Sequence, residues 1–100
     1  MANIVELSEV AQNEIEKSTL WYEGVADGLG QCFVDYVFKA FNSISQNPES
    51  YPKKRGEKRV FVMRKFPFVI VYRFLPGKDS IFILHIFHTS RHPKHKYKNK

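Results

Sequence analysis

The stretch Arg59 to Arg73, RVFVMRKFPFVIVYR, constrains the fold more than any other part of the chain. It reads as two strands folded about Phe66-Pro67. With that dipeptide as the turn, Arg64 is set opposite Val69, Val62 opposite Val71, and Val60 opposite Arg73. Strand side chains alternate, so these six share one face while Phe61, Met63, Phe68, Ile70 and Tyr72 share the other. The large aromatic face is that of a core. The β-branched face flanked by arginines is that of a surface open to use.

The remaining elements are placed relative to this hairpin. Ile4 to Leu7 alternates as an edge strand does. Ser8 stands where a helix N-cap belongs, with Glu9 in the first turn. Ala11, Ile15, Ser18 and Tyr22 then recur at helical spacing, which predicts a helix over about 8–26 with Leu20 and Trp21 beside the stripe. Asp27-Gly28 breaks that pattern. A second helix is expected over 29–46, with Leu29, Phe33, Tyr36, Val37, Ala40 and Ile44 as its apolar stripe. Gly30, unfavourable in a helix by about 1 kcal/mol against Ala, marks a close packing contact. So short a connection makes the helices an antiparallel hairpin. Residues 47–56, with two prolines and a glycine, read as a loop. Residues 80–88 form a third strand, with Ile81, Ile83, His85 and Phe87 on one side and Phe82, Leu84, Ile86 and His88 on the other.

The expected fold class is α+β: an N-terminal antiparallel helical hairpin packed on one face of a twisted antiparallel β-sheet, with strands 58–65, 68–75 and 80–88 in that order. The third strand is apolar on both sides, so the uncovered face carries a larger apolar patch than monomers normally show to water. A partner is expected to cover it.

At 100 residues the chain has room for one domain, taken as 1–95, followed by a basic tail, 96–100, too polar to pack. The amino terminus lacks the basic-then-apolar pattern of an export signal, and no apolar run is long enough for a membrane span. Cys32 is the lone cysteine, which fits a reducing cytoplasm. Charge is divided unevenly. Residues 1–50 hold Lys17 and Lys39 against eight acids, net −6; residues 51–100 hold fourteen Lys and Arg against Glu57 and Asp79, net +12. A basic half of this kind suits an acidic partner, either nucleic acid or an acidic protein segment.

No phosphate-cradling glycine loop, zinc-protease motif, paired cysteines or nucleophile elbow occurs. The acids fall in the helices, away from the basic strands, which argues against a two-carboxylate hydrolase. His88, His92 and His95 have a ligand-like spacing but are interleaved with lysines, so neither metal nor cofactor is expected. What remains is Arg55, Arg59, Arg64, Arg73, His88, Arg91 and Tyr97. Such a set can hold phosphates and, with a base near neutrality, cleave RNA through 2′-hydroxyl attack. His88, at the end of the third strand, is the candidate base. His85, among apolar neighbours, reads as a core histidine.

The chain resembles the RelE/ParE superfamily, the toxins of type II toxin–antitoxin (plasmid stabilisation) systems. The resemblance runs from about Ile4 to His95. It is carried by Ala11 to Trp21-Tyr22, Gly28-Leu29-Gly30 with Phe33, and Pro48 with Tyr51. Arg64-Lys65-Phe66-Pro67-Phe68 with Ile70 and Tyr72, and Ile86, His88 and Arg91-His92-Pro93, complete it. It implies the same helical hairpin on a twisted sheet, and a cognate, commonly acidic antitoxin that wraps the toxin in a hetero-oligomer. The superfamily contains messenger-RNA endonucleases acting on the ribosome (RelE branch) and inhibitors of DNA gyrase (ParE branch). Nuclease relatives often carry arginine where this chain has Val69 and Thr89. The resemblance therefore favours the ParE branch. The β-branched patch of Val60, Val62, Val69 and Val71, with Arg64 and Arg73 placed to meet carboxylates, is the expected antitoxin-contacting face. If the chain were a nuclease, His88, Arg91 and Tyr97 would carry the chemistry. A non-toxic nucleic-acid-binding module is a lesser alternative, since the basic residues lie on strands and loops and not on a groove-reading helix.

Overall fold

The computed structural model describes residues 3–89. The elements are β1 (Ile4–Leu7), α1 (Glu9–Val25), α2 (Leu29–Gln46), β2 (Lys53–Arg55), β3 (Lys58–Val62), β4 (Phe68–Leu75) and β5 (Ser80–His88). A single 3-10 turn, Pro76–Lys78, joins β4 to β5. The five strands form one open sheet in the order β1-β5-β4-β3-β2. Every neighbouring pair is antiparallel except β1 and β5, which run parallel.

Local chemistry fixes the helices. The Ser8 hydroxyl accepts from the Ala11 amide at 3.0 Å and donates to the Leu84 carbonyl at 2.7 Å. One side chain thus caps α1 and pins its start to β5. At the far end, the Glu23 carboxylate accepts from the amides of Gly28 and Gly30, each at 3.0 Å. These are orphan donors at the positive end of α2, where a carboxylate is favoured. Glu23, which periodicity alone leaves facing water, is the clasp of the helical hairpin. Gly30 is where the helices meet: a Cβ there would lie 2.8 Å from the Thr19 carbonyl oxygen and 3.0 Å from a Glu23 carboxylate oxygen.

The core lies between the helices and one sheet face. Ala11 and Tyr22 of α1 and Phe33, Val37, Ala40 and Ile44 of α2 pack with Phe68, Ile70, Tyr72, Ile81, Ile83 and Ile86 of the sheet. Phe66 joins them from the β3–β4 loop, its ring 4.9 Å from Tyr22 and 5.4 Å from Phe33. Burying one such side chain stabilises by about 1.5–3 kcal/mol. The expected division of faces holds, since Met63 is buried and Phe61 half-buried while Val62 is exposed.

Four details differ from the sequence reading. The pairs are Val62 with Val69, Val60 with Val71 and Lys58 with Arg73, a slip of two residues. Strand 58–65 ends at Val62, and residues 63–67 form a wider loop closed by the Met63 amide on the Phe68 carbonyl at 2.9 Å. An even slip leaves every side chain on its expected face. Second, strict alternation fails in β5. Val71 pairs with His85 and Tyr72 with Ile83, leaving Leu84 as an extra bulge residue. Ile81 and Ile83 before the bulge, and Ile86 after it, therefore all reach the core, and His85 is exposed instead of buried. Third, the 47–56 loop contains the short edge strand β2, held to β3 by pairing of Lys53 with Arg59 and Arg55 with Lys58. Fourth, β1 is the edge strand expected, but parallel to its neighbour.

Candidate functional site

The face proposed to meet a partner is more closed than alternation suggests. Val60 and Val71 are each 7% exposed, Val69 is half-buried, and Val62 is 62% exposed. The cause is the width of the sheet. Val71 lies on the central strand with Val60 on one side and His85 on the other. Val62 closes β3 beyond the last residue that β2 covers. Arg64 and Arg73 are both exposed, but they flank opposite ends of this surface.

A groove of about 380 Å³ opens beside Val62, between α2 and the end of the β3–β4 hairpin. Tyr36, Lys39, Ala40 and Ser43 form its helical bank; Phe61, Val62 and Met63 form the strand bank; Arg64 and Lys65 close the end. The Lys39 ammonium sits 5.1 Å from the Tyr36 ring centroid. Phe61 packs edge-on to Tyr51 at 4.8 Å. Lys39 and Ser43 were not singled out by sequence, and Lys65 entered only as part of the resemblance. Lys39 and Ser43, four apart beside the Tyr36 stripe, are the signal that was there, a polar pair flanking the apolar stripe of α2.

His88 ends β5 opposite Phe68, with the two rings edge-to-face at 5.2 Å. The next amide, that of Thr89, donates to the Pro67 carbonyl at 2.8 Å, so the end of β5 is tied to the β3–β4 loop. Of the trio His88, Arg91 and Tyr97, only His88 lies within the described residues, as do neither His92, His95 nor the tail 96–100. Arg73 cannot serve with His88. It lies on the opposite sheet face, and its β4 position is five residues from Phe68, about 17 Å of strand. Arg59 is committed elsewhere: its guanidinium donates to the carbonyls of Tyr51 at 2.7 Å and Glu49 at 3.3 Å. Arg55 is an exposed residue of β2. Among the described residues, no three His, Cys, Asp or Glu side chains group as a metal site. No helix among them is long and apolar enough to cross a membrane.

Solved structures share this arrangement of helical hairpin and sheet. A chain of the chromosomal ParDE toxin–antitoxin system of P. aeruginosa superposes with a TM-score of 0.71 at 18% identity, over 87% of this chain and 96% of that one. A mutant of E. coli toxin RelE in the free state gives 0.64 at 17% identity, over 96% and 93%. A chain of the RelBE2 toxin–antitoxin complex of Mycobacterium tuberculosis gives 0.63 at 17%, over 88% and 92%. At such identities the likeness is one of fold. No curated protein sequence matches significantly. The family described as the ParE toxin of the type II toxin–antitoxin system parDE, however, matches residues 5–93. With the fold and nearly the whole sequence in agreement, this chain belongs to the ParE toxin family of type II toxin–antitoxin systems.

Proposed function

We propose that the chain acts in the cytoplasm as a ParE-like inhibitor of DNA gyrase and is neutralised by a cognate acidic antitoxin in a hetero-oligomeric complex. The observation that carries this reading is the match of residues 5–93 to the ParE toxin family. It is supported by Val69 and Thr89, which stand where nuclease relatives often place arginine. Val69 is half-buried and pairs with Phe87, and the Thr89 amide is used in tying down a loop. Without cations at those positions, charge developing on a phosphodiester lacks its usual stabilisation. An acidic antitoxin suits the basic second half of the chain, and a toxin–antitoxin complex is what the P. aeruginosa and Mycobacterium tuberculosis structures contain.

The runner-up reading is a ribosome-dependent messenger-RNA endonuclease with His88 as its base, favoured by the imidazole's place at the strand end. Inducing the protein and assaying both purified gyrase on supercoiled plasmid and ribosome-bound message separates the two. The expected result is gyrase trapped on cleaved DNA with message intact. Specific cuts in ribosome-bound message would promote the endonuclease.

A further inference from the structure

Three cations stand in one cross-strand row on the sheet face turned away from the helices. Arg55 of β2 pairs with Lys58 of β3, and Lys58 pairs with Arg73 of β4. Residues directly opposite in a sheet share a face, with Cβ atoms about 4.5–5.5 Å apart. Tyr72, beside Arg73, points into the core, so the row points out, and all three cations are exposed. The row continues through Phe82 of β5, opposite Arg73, to Glu6 of β1, opposite Phe82. It runs from three cations at one side of the sheet to a single carboxylate at the other.

Such a row works against folding. Like charges directly opposite one another destabilise a sheet, and here two such pairs follow in succession. Among the described residues the ion pair present is Lys53 with Glu57, which leaves Arg55, Lys58 and Arg73 without a carboxylate. A cation on an edge strand guards that edge against pairing with other chains, which accounts for Arg55. It does not account for Lys58 and Arg73, because β3 is covered by β2 at this level and β4 is the central strand. The surroundings narrow the choice of anion. The next residues on the same face, Val60 and Val71, are each 7% exposed, so an acidic peptide finds no apolar anchor beside the row. A single strand stacks its bases on a series of rings; the one ring in this row, Phe82, is half-buried. A duplex backbone needs only the cations.

We propose that Arg55, Lys58 and Arg73 form a contact for the phosphate backbone of duplex DNA. The row spans about 10 Å between its outer Cα atoms, two strand spacings, and its side chains neutralise phosphates without reading bases. Glu6 repels the backbone from the far side of the sheet, so the duplex lies over β2, β3 and β4. The site stands on the geometry. The gyrase reading adds only the setting in which this chain meets DNA.

The test uses the purified full-length chain and a short fluorescein-labelled DNA duplex of mixed sequence, followed by anisotropy across a salt series. Each phosphate contact removed lowers the slope of log affinity against log salt by about one. Lys58→Gln and Arg73→Gln are each expected to lower it by about that amount and to weaken binding severalfold at low salt. Lys17→Gln removes the same charge from an exposed position on α1 and is expected to leave the slope as it was. Relief of the like-charge row is expected to raise the melting temperature of both row variants by about 1–4 °C. Weaker binding with a higher melting temperature separates loss of a contact from poor folding. Slopes that change equally in all three variants or in none, or melting temperatures that do not rise, would overturn the proposal. So would a single-stranded RNA or a poly-glutamate that displaces the duplex at equal concentration of charge. No gyrase is present, so failure of this site and failure of the gyrase reading appear in different experiments.

Discussion

Tyr72 is the largest fully buried side chain, and it brings a hydroxyl into the core. That hydroxyl donates to the Pro48 carbonyl at 2.7 Å, while Arg59 holds the carbonyls of Glu49 and Tyr51. Together they bind the segment between α2 and β2 to the sheet. Burial pushes the Tyr72 phenol up from 10.0 to about 12, with the nearby Arg59 charge pulling it partly back and Tyr51 adding a further rise. The unfolded chain releases this proton near the ordinary value, and the folded chain holds it to about 12. Tyr72 therefore contributes stability below pH 10 that is lost as pH rises from there through about 12, in total roughly 2–3 kcal/mol. Tyr72→Phe is expected to remove that alkaline step from urea-unfolding free energies measured across the window. At neutral pH it is expected to cost about 1 kcal/mol for the lost hydrogen bond. Alternation along the strand was enough to place Tyr72 in the core. The role of Arg59 was not legible, because a guanidinium bonded to loop carbonyls has no sequence pattern, and the same residue reads equally well as a phosphate ligand.

The helical hairpin was legible almost to the residue because its signals are local: a serine cap, a Gly break and a 3.6-residue stripe. Its clasp was not, since Glu23 reaches across a turn to the amides of Gly28 and Gly30. Glu23→Ala is expected to lower stability by about 1 kcal/mol, the value of a helix cap, measured by urea unfolding. Gly30→Ala should gain about 1 kcal/mol of helix propensity but lose more by overpacking, typically 1–3 kcal/mol, because the methyl meets a backbone carbonyl that has little freedom to move. A net destabilisation with a wider α1–α2 separation is the expected outcome. Stabilisation would mean that the helices can part at little cost. Among the strands, an even register slip was invisible from alternation and harmless to it. The Leu84 bulge was neither, since one extra residue inverts every later assignment in β5. It also changes what the open sheet face can tolerate. Val71→Asp would bury a carboxylate in a row closed on both sides and should unfold the domain, whereas Val62→Asp should leave it folded.

At the scale of the whole molecule, charge and architecture divide together. The acidic half of the sequence supplies α1 and α2, and the basic half supplies β2 to β5 and the groove rim. Net charge of this kind steers an acidic partner toward the sheet side and makes association salt-dependent. It does not by itself separate a gyrase inhibitor from a nuclease, because both would be basic. His88 does separate them. A general base contributes about 10²–10⁴-fold to a cleavage rate, so a nuclease would lose activity by about that factor in His88→Gln. A protein that breaks no bond would lose only what the imidazole contributes to local structure, which includes its edge-on packing against Phe68 at 5.2 Å. Glutamine keeps a polar group at the strand end, and the Thr89 amide remains bonded to Pro67 in either case. We expect His88→Gln to fold, to arrest growth, and to trap gyrase on cleaved DNA about as well as the unaltered chain. Ribosome-bound message should stay intact with both proteins. Cuts in message that vanish in His88→Gln, together with relief of growth arrest, would reverse the assignment and make His88 the base.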